Sequence, residues 1–143
     1  MPFDYLEDDA VSDAGFEAGG STAVELFRQA WDATLGLMVA NPLSIRKVTE
    51  RQIACSSDSL EMLLFDMLGE LLYYKDADCT LLRLDSLDIW KEQDSYHLRA
   101  TAGGERVDPR RHVLGVDVKA VMLHQFKVEQ TATEFRARVV LDT

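Results

Sequence analysis

Residues 57–92 read SDSLEMLLFDMLGELLYYKDADCTLLRLDSLDIWKE, and the fold class is decided within them. Ser57-Asp58-Ser59 is a helix-start signal. Behind it Leu60, Leu63, Leu64, Met67, Leu68 and Leu71 recur at helical spacing, while Met62, Phe65, Leu72 and Tyr73 spread apolar surface further round. A helix apolar over so much of its circumference is covered on more than one side, so a central helix is expected, running to about Lys75. From Cys79 the period drops from about 3.6 residues to about two, and Thr80–Glu92 alternates as a strand does.

Upstream, Thr22-Ala23-Val24-Glu25 fits a capping box. Val24, Phe27, Trp31, Leu35 and Met38 then bury one face of a first helix, which Asn41-Pro42 stops. Asp4–Glu7 and Ala14–Ala18 read as short strands, with Gly19-Gly20 as the following turn, and Ser44–Cys55 suits another strand. Downstream, Tyr96–Ala102, Val116–Glu129 and Thr133–Leu141 are strands, punctuated by the turn signals Gly103-Gly104 and Asp108-Pro109. Two helices placed early and then a run of strands predict an α+β fold. A mixed or antiparallel sheet carries the two helices on one face, in a single domain over residues 1–143.

Apolar residues make up 47% of the 143, too many for a disordered chain. The net charge of -10 repels a phosphate backbone, so no direct nucleic-acid binding is expected, and a basic protein partner or a cation suits the surface better. Acid crowds the start at Asp4, Glu7, Asp8, Asp9, Asp13 and Glu17, whereas Arg106, Arg110, Arg111, His112 and Lys119 cluster later. A solvated face is the simplest meaning of either cluster. Cys55 and Cys79 are too few for a disulfide framework and are expected to be reduced. With no signal segment at the N-terminus and no apolar run long enough for a bilayer, a cytoplasmic protein without a membrane partner is expected.

Asp66 and Glu70 stand four residues apart on one face of the apolar helix, where two carboxylates repel unless a cation or several donors compensate. That they mark a narrow wet side, or pair with Arg or Lys from the sheet, weighs about evenly with a functional role. Asp13, followed by Ala14-Gly15-Phe16, is by itself ordinary turn chemistry. At the other end the Asp142 side chain and the α-carboxylate of Thr143 offer hard oxygens, which suit Ca²⁺, Mg²⁺ or Mn²⁺. His97, His112 and His124 have no partner at metal-binding spacing. Nucleophile motifs, a P-loop and a dinucleotide fingerprint are all absent, which argues against self-contained catalysis.

Four stretches, in order, resemble the archease family. They are Asp9–Ala18 with the Glu25-Leu26-Phe27 helix start; Leu64–Tyr73; Gly104–His112 leading into Val118–His124; and Val139–Thr143. The chain departs from the family at Ala10-Val11-Ser12, where His-Thr-Ala is usual, and at Met122-Leu123-His124, where Thr-Tyr-His is usual. The resemblance implies a protein cofactor of the GTP-dependent RNA ligase that joins tRNA halves, helping the ligase accept guanylate and turn over repeatedly. It implies a divalent ion held by Asp13, Asp142 and the main chain of Thr143, an activity-linked Lys119, and Asp66 and Glu70 on the family's acidic helix. Asp13 and Asp142 meet only if strands from the two ends of the chain are neighbours. Two other functions are compatible with these residues. One is a metal-dependent phosphoester hydrolase drawing on His112, His124 or Lys119, and the other a chaperone-like binding module with a structural metal.

Overall fold

A computed structural model describes residues 2–6 and 13–143, and of Asp13 the backbone alone; Glu7, Asp8, Asp9, Ala10, Val11 and Ser12 lie outside the described residues. The elements run β1 Phe3–Leu6, β2 Asp13–Gly20, α1 Ala23–Met38, β3 Thr49–Ser57, α2 Leu60–Asp78, β4 Thr80–Glu92, β5 Ser95–Arg106, β6 Ala120–Gln130 and β7 Phe135–Asp142, with a 3-10 turn at Pro42–Ser44. The α+β reading is correct. Its strands divide between two antiparallel sheets, ordered β1-β2-β7-β6 and β3-β5-β4. Each sheet turns one face to the helices, and each helix touches strands of both sheets.

The central position of α2 follows from its composition. Leu63, Leu64, Met67, Leu68 and Leu71 are wholly buried, and each is worth roughly 1.5–3 kcal/mol relative to exposure. Ser59 caps the first turn by accepting from the Met62 N–H, and Cys79 ends the helix in the left-handed region at φ 51°. In α1, Trp31 is buried and its indole N–H donates to the Leu82 carbonyl at 3.0 Å, fixing helix against β4. The Thr22 hydroxyl accepts from the Glu25 N–H at 3.1 Å, as a capping box requires. The Glu25 carboxylate takes the N–H and hydroxyl of Ser21, both at 2.7 Å, and the Thr22 backbone N–H also helps to stabilise its charge.

Four expectations need correction. Gly19-Gly20 finishes β2, paired with Arg136 and Phe135, and is not the turn that follows it. Gly103-Gly104 is no turn either; both residues lie inside β5. A Cβ on Gly104 would stand 1.7 Å from the Leu81 carbonyl oxygen, so β4 occupies the space a side chain would need. The reversal comes earlier, at Gln93-Asp94, where both residues have positive φ (51° and 66°) and close a two-residue hairpin. Ser44 belongs to the 3-10 turn, and β3 begins only at Thr49. Residues 113–119 do not open β6 but run along the end of α1. There the Gly115 and Val116 N–H groups donate to the Met38 and Leu37 carbonyls at 2.9 and 2.7 Å.

Two glycine substitutions should diverge. Gly104→Ala forces β4 and β5 apart and should cost at least about 2 kcal/mol, whereas Gly69→Ala, in open space on α2, should gain about 0.5–1 kcal/mol. Urea unfolding midpoints at constant m-value measure both.

Candidate functional site

Strand β7 lies between β2 and β6, and its inward residues Ala137, Val139 and Leu141 meet Ala18, Phe16 and Ala14 across the pair with β2. That register sets the opposite face. Asp13 is directly opposed to Asp142, and four residues along the same face Glu17 is opposed to Arg138. Glu17 and Arg138 form an ion pair at 3.4 Å, the usual device for such a position. Asp13 and Asp142 are like charges, which oppose pairing unless something cationic offsets them.

A third strand completes the place. Ala120 opens β6 opposite Asp142, and the Lys119 N–H donates to the Asp142 carbonyl at 2.8 Å. Lys119 is exposed, and its amine lies near enough to Asp117 to help hold that carboxyl below its ordinary range, although Lys75 is the principal cause. The structure therefore brings together Asp13, Asp142, Thr143 and Lys119, drawn from both ends of the chain and one internal segment. Among the described residues no group of three or more His, Cys, Asp or Glu forms a ready metal cluster, and the Asp13 side chain is outside that description.

Asp66 and Glu70 sit elsewhere, on the side of α2 that faces β3. The Ser57 hydroxyl donates to Asp66 Oδ2 at 2.8 Å. Burial, seconded by the negative charges of Glu70 and Asp66, pushes the Cys55 thiol up to about 11, so this cysteine is an inert neighbour. Among the described residues no hydrogen bond or ion pair joins either carboxylate to Lys119 or Asp142.

The basic cluster expected from sequence is two different things. Arg106 and Arg110 are exposed, but Arg111 and His112 turn inward onto Glu105. The Asp108 N–H donates to His112 Nδ1 at 2.9 Å, so Nε2 carries the proton and donates to Glu105 at 3.1 Å. The Arg111 guanidinium and the Arg46 N–H also donate to Glu105. This clamp roots the segment that ends in Lys119. Sequence reasoning missed it because Glu105 was read only as part of a resemblance motif; an acid flanked by Arg and His at short separation was the available signal. Lys75 was missed too: its amine donates to the Val118 carbonyl at 2.6 Å and to Asp117 at 2.9 Å.

The Arg111 hydrogen bond, opposed by burial and aided by Arg46 and His112, holds the Glu105 carboxyl down to about 2 from its ordinary 4.5. A depressed carboxyl contributes stability that is complete above pH 4.5 and is lost as pH falls toward 2. Glu105→Gln should therefore flatten the stability loss over that window and cost about 1–3 kcal/mol at neutral pH, read by urea unfolding as a function of pH.

Residues 3–143 match the model of the Archease protein family. Protein archease of Methanosarcina mazei is 34% identical over 141 residues, covering 98% of this chain and 94% of that protein. Protein archease of Methanothermobacter thermautotrophicus is 33% identical over 134 residues, with 94% of each covered. The solution structure of protein 1598 from Methanobacterium thermoautotrophicum superposes with a TM-score of 0.84 at 29% identity, over 99% of both chains. A Thermotoga maritima crystal structure described as an archease and possible chaperone shares the fold, with a TM-score of 0.64 at 20% identity over 96% of both chains.

Proposed function

This chain belongs to the archease family, and from that premise we propose that it is a metal-binding accessory protein of a GTP-dependent RNA ligase, promoting guanylylation and repeated turnover in tRNA splicing or RNA repair without catalysing by itself. One observation carries the proposal. The register opposes Asp13 and Asp142 on a face where the corresponding pair Glu17 and Arg138 is of opposite charge. A like-charged pair persists there at a cost that a cation removes.

The donors fit such an ion. Asp13, Asp142 and the main chain of Thr143 would hold it, and an all-oxygen set selects Ca²⁺, Mg²⁺ or Mn²⁺ over Zn²⁺. When bound, the ion supplies concentrated positive charge for stabilising phosphate oxygens. The chain's own residues do the rest. The Lys119 N–H pins the Asp142 main chain, and its exposed side chain offers a cation beside the site. Asp66 and Glu70, on the β3-facing side of α2, are further activity-linked candidates apart from the ion site. The net charge of -10 steers the protein toward a basic, RNA-handling cleft on its partner, and free thiols at Cys55 and Cys79 suit the cytoplasm.

Asp13→Ala and Asp142→Ala should each reduce stimulation of ligase guanylylation at least tenfold; full stimulation by both would dispose of the proposal. Saturating Ca²⁺ or Mn²⁺ should stabilise the wild-type protein by roughly 3–4 kcal/mol at 100 to 1,000 times Kd. Thermal unfolding of Asp142→Ala should show no such gain.

A further inference from the structure

Between the C-terminal end of α2 and residues 113–117 lies a hollow of about 390 Å³, within the roughly 300–1,000 Å³ usual for ligand sites. Met38 and Leu81 form its buried floor, and Leu114 and Val116 its wall. Those two wall residues are 47% and 42% exposed, although their backbone is fixed. The Ala40 N–H donates to the Val113 carbonyl at 2.8 Å, Val39 bridges Leu114, and Gly115 and Val116 donate to the last carbonyls of α1. A Cβ on Gly115 would come within 2.3 Å of the Leu37 oxygen, so the segment rests directly on the helix end. Apolar side chains held out on an ordered backbone have already met much of the entropic cost of binding.

The rim is acidic. Lys75 is 12% exposed, and its amine is engaged by Asp76, Asp117 and the Val118 carbonyl, so its charge is spent internally. Asp117 is 74% exposed and keeps a second carboxylate oxygen for an outside donor. The rim is also continuous with the candidate ion site. Asp117 lies two residues before Lys119, at most about 8 Å along the chain, and the Lys119 N–H meets the Asp142 carbonyl.

We propose that this hollow is the anchoring site for the protein partner, taking one large apolar side chain from an exposed segment whose neighbouring Lys or Arg meets Asp117. The inference rests on the ligase reading above, and the segment belongs to the ligase. One surface of the partner would then reach the anchor and the ion site together, so the anchor sets affinity and the ion site sets stimulation.

The test titrates full-length wild type, Leu114→Glu and Val116→Glu against the cognate ligase, measuring Kd by calorimetry and guanylylation at saturating protein. Each substitution should raise Kd at least tenfold while guanylylation at saturation stays within about twofold of wild type. A benzophenone amino acid in place of Leu114 reads the same contact without adding charge and should cross-link to the ligase. Unchanged Kd for both variants, or a cross-link only to a second copy of this chain or to nothing, would overturn the anchor while leaving the ligase reading intact. Wild type that neither binds nor stimulates the ligase would remove both.

Discussion

The register between β2 and β7 is the constraint on which the molecule turns. Ala137, Val139 and Leu141 face the core, so a slip of one position would turn all three to the outer face and bring Asp142 toward the core. Hydrophobic burial, which has no interest in carboxylates, thereby enforces the opposition of Asp13 and Asp142. The like-charged pair is held by a core strong enough to tolerate it. The juxtaposition of the two aspartates needs no dedicated scaffold; it is a by-product of correct strand pairing that folding cannot omit.

The second requirement is that Lys119 arrive beside the pair, and here polar chemistry takes over. Between β5 and Ala120 the chain forms only an isolated bridge, Leu114 with Val39, before it reaches β7. Glu105 anchors its near end through Arg111, His112 and Arg46, while the unsatisfied carbonyls of α1 hold residues 115 and 116. Val118 is fully buried, and Lys75 grips its carbonyl, which leaves Asp117 and Lys119 turned to solvent on either side. Apolar residues at 113, 114 and 116 are exposed on this route because the backbone, not the side chains, supplies its attachment.

The charge distribution also changes meaning once folded. A net charge of -10 is a property of the whole surface, yet the Arg111 guanidinium and the His112 imidazole are both engaged by Glu105 and do not form a patch. The exposed pair of Glu17 and Arg138 contributes about 0–1 kcal/mol at most, being solvent-screened. Its interest lies in contrast with the like-charged pair further along the same strands.

Periodicity alone determined both helices, the change to strands at Thr80 and the α+β class, because a helical stripe and a two-residue alternation are local consequences of which face is buried. The residue resemblances determined which carboxylates to watch. Tertiary structure alone decided the division into two sheets, since strand partners are chosen by long-range packing that local alternation does not encode. It also decided that Gly104 admits a neighbouring strand and that the reversal belongs to Gln93-Asp94, which carry positive φ without a glycine to announce it. The opposition of Asp13 to Asp142, residues 129 positions apart (142 − 13), belongs to the same category. A one-dimensional pattern tells which side of a strand faces the core, and only the folded sheet tells which strand lies beside it.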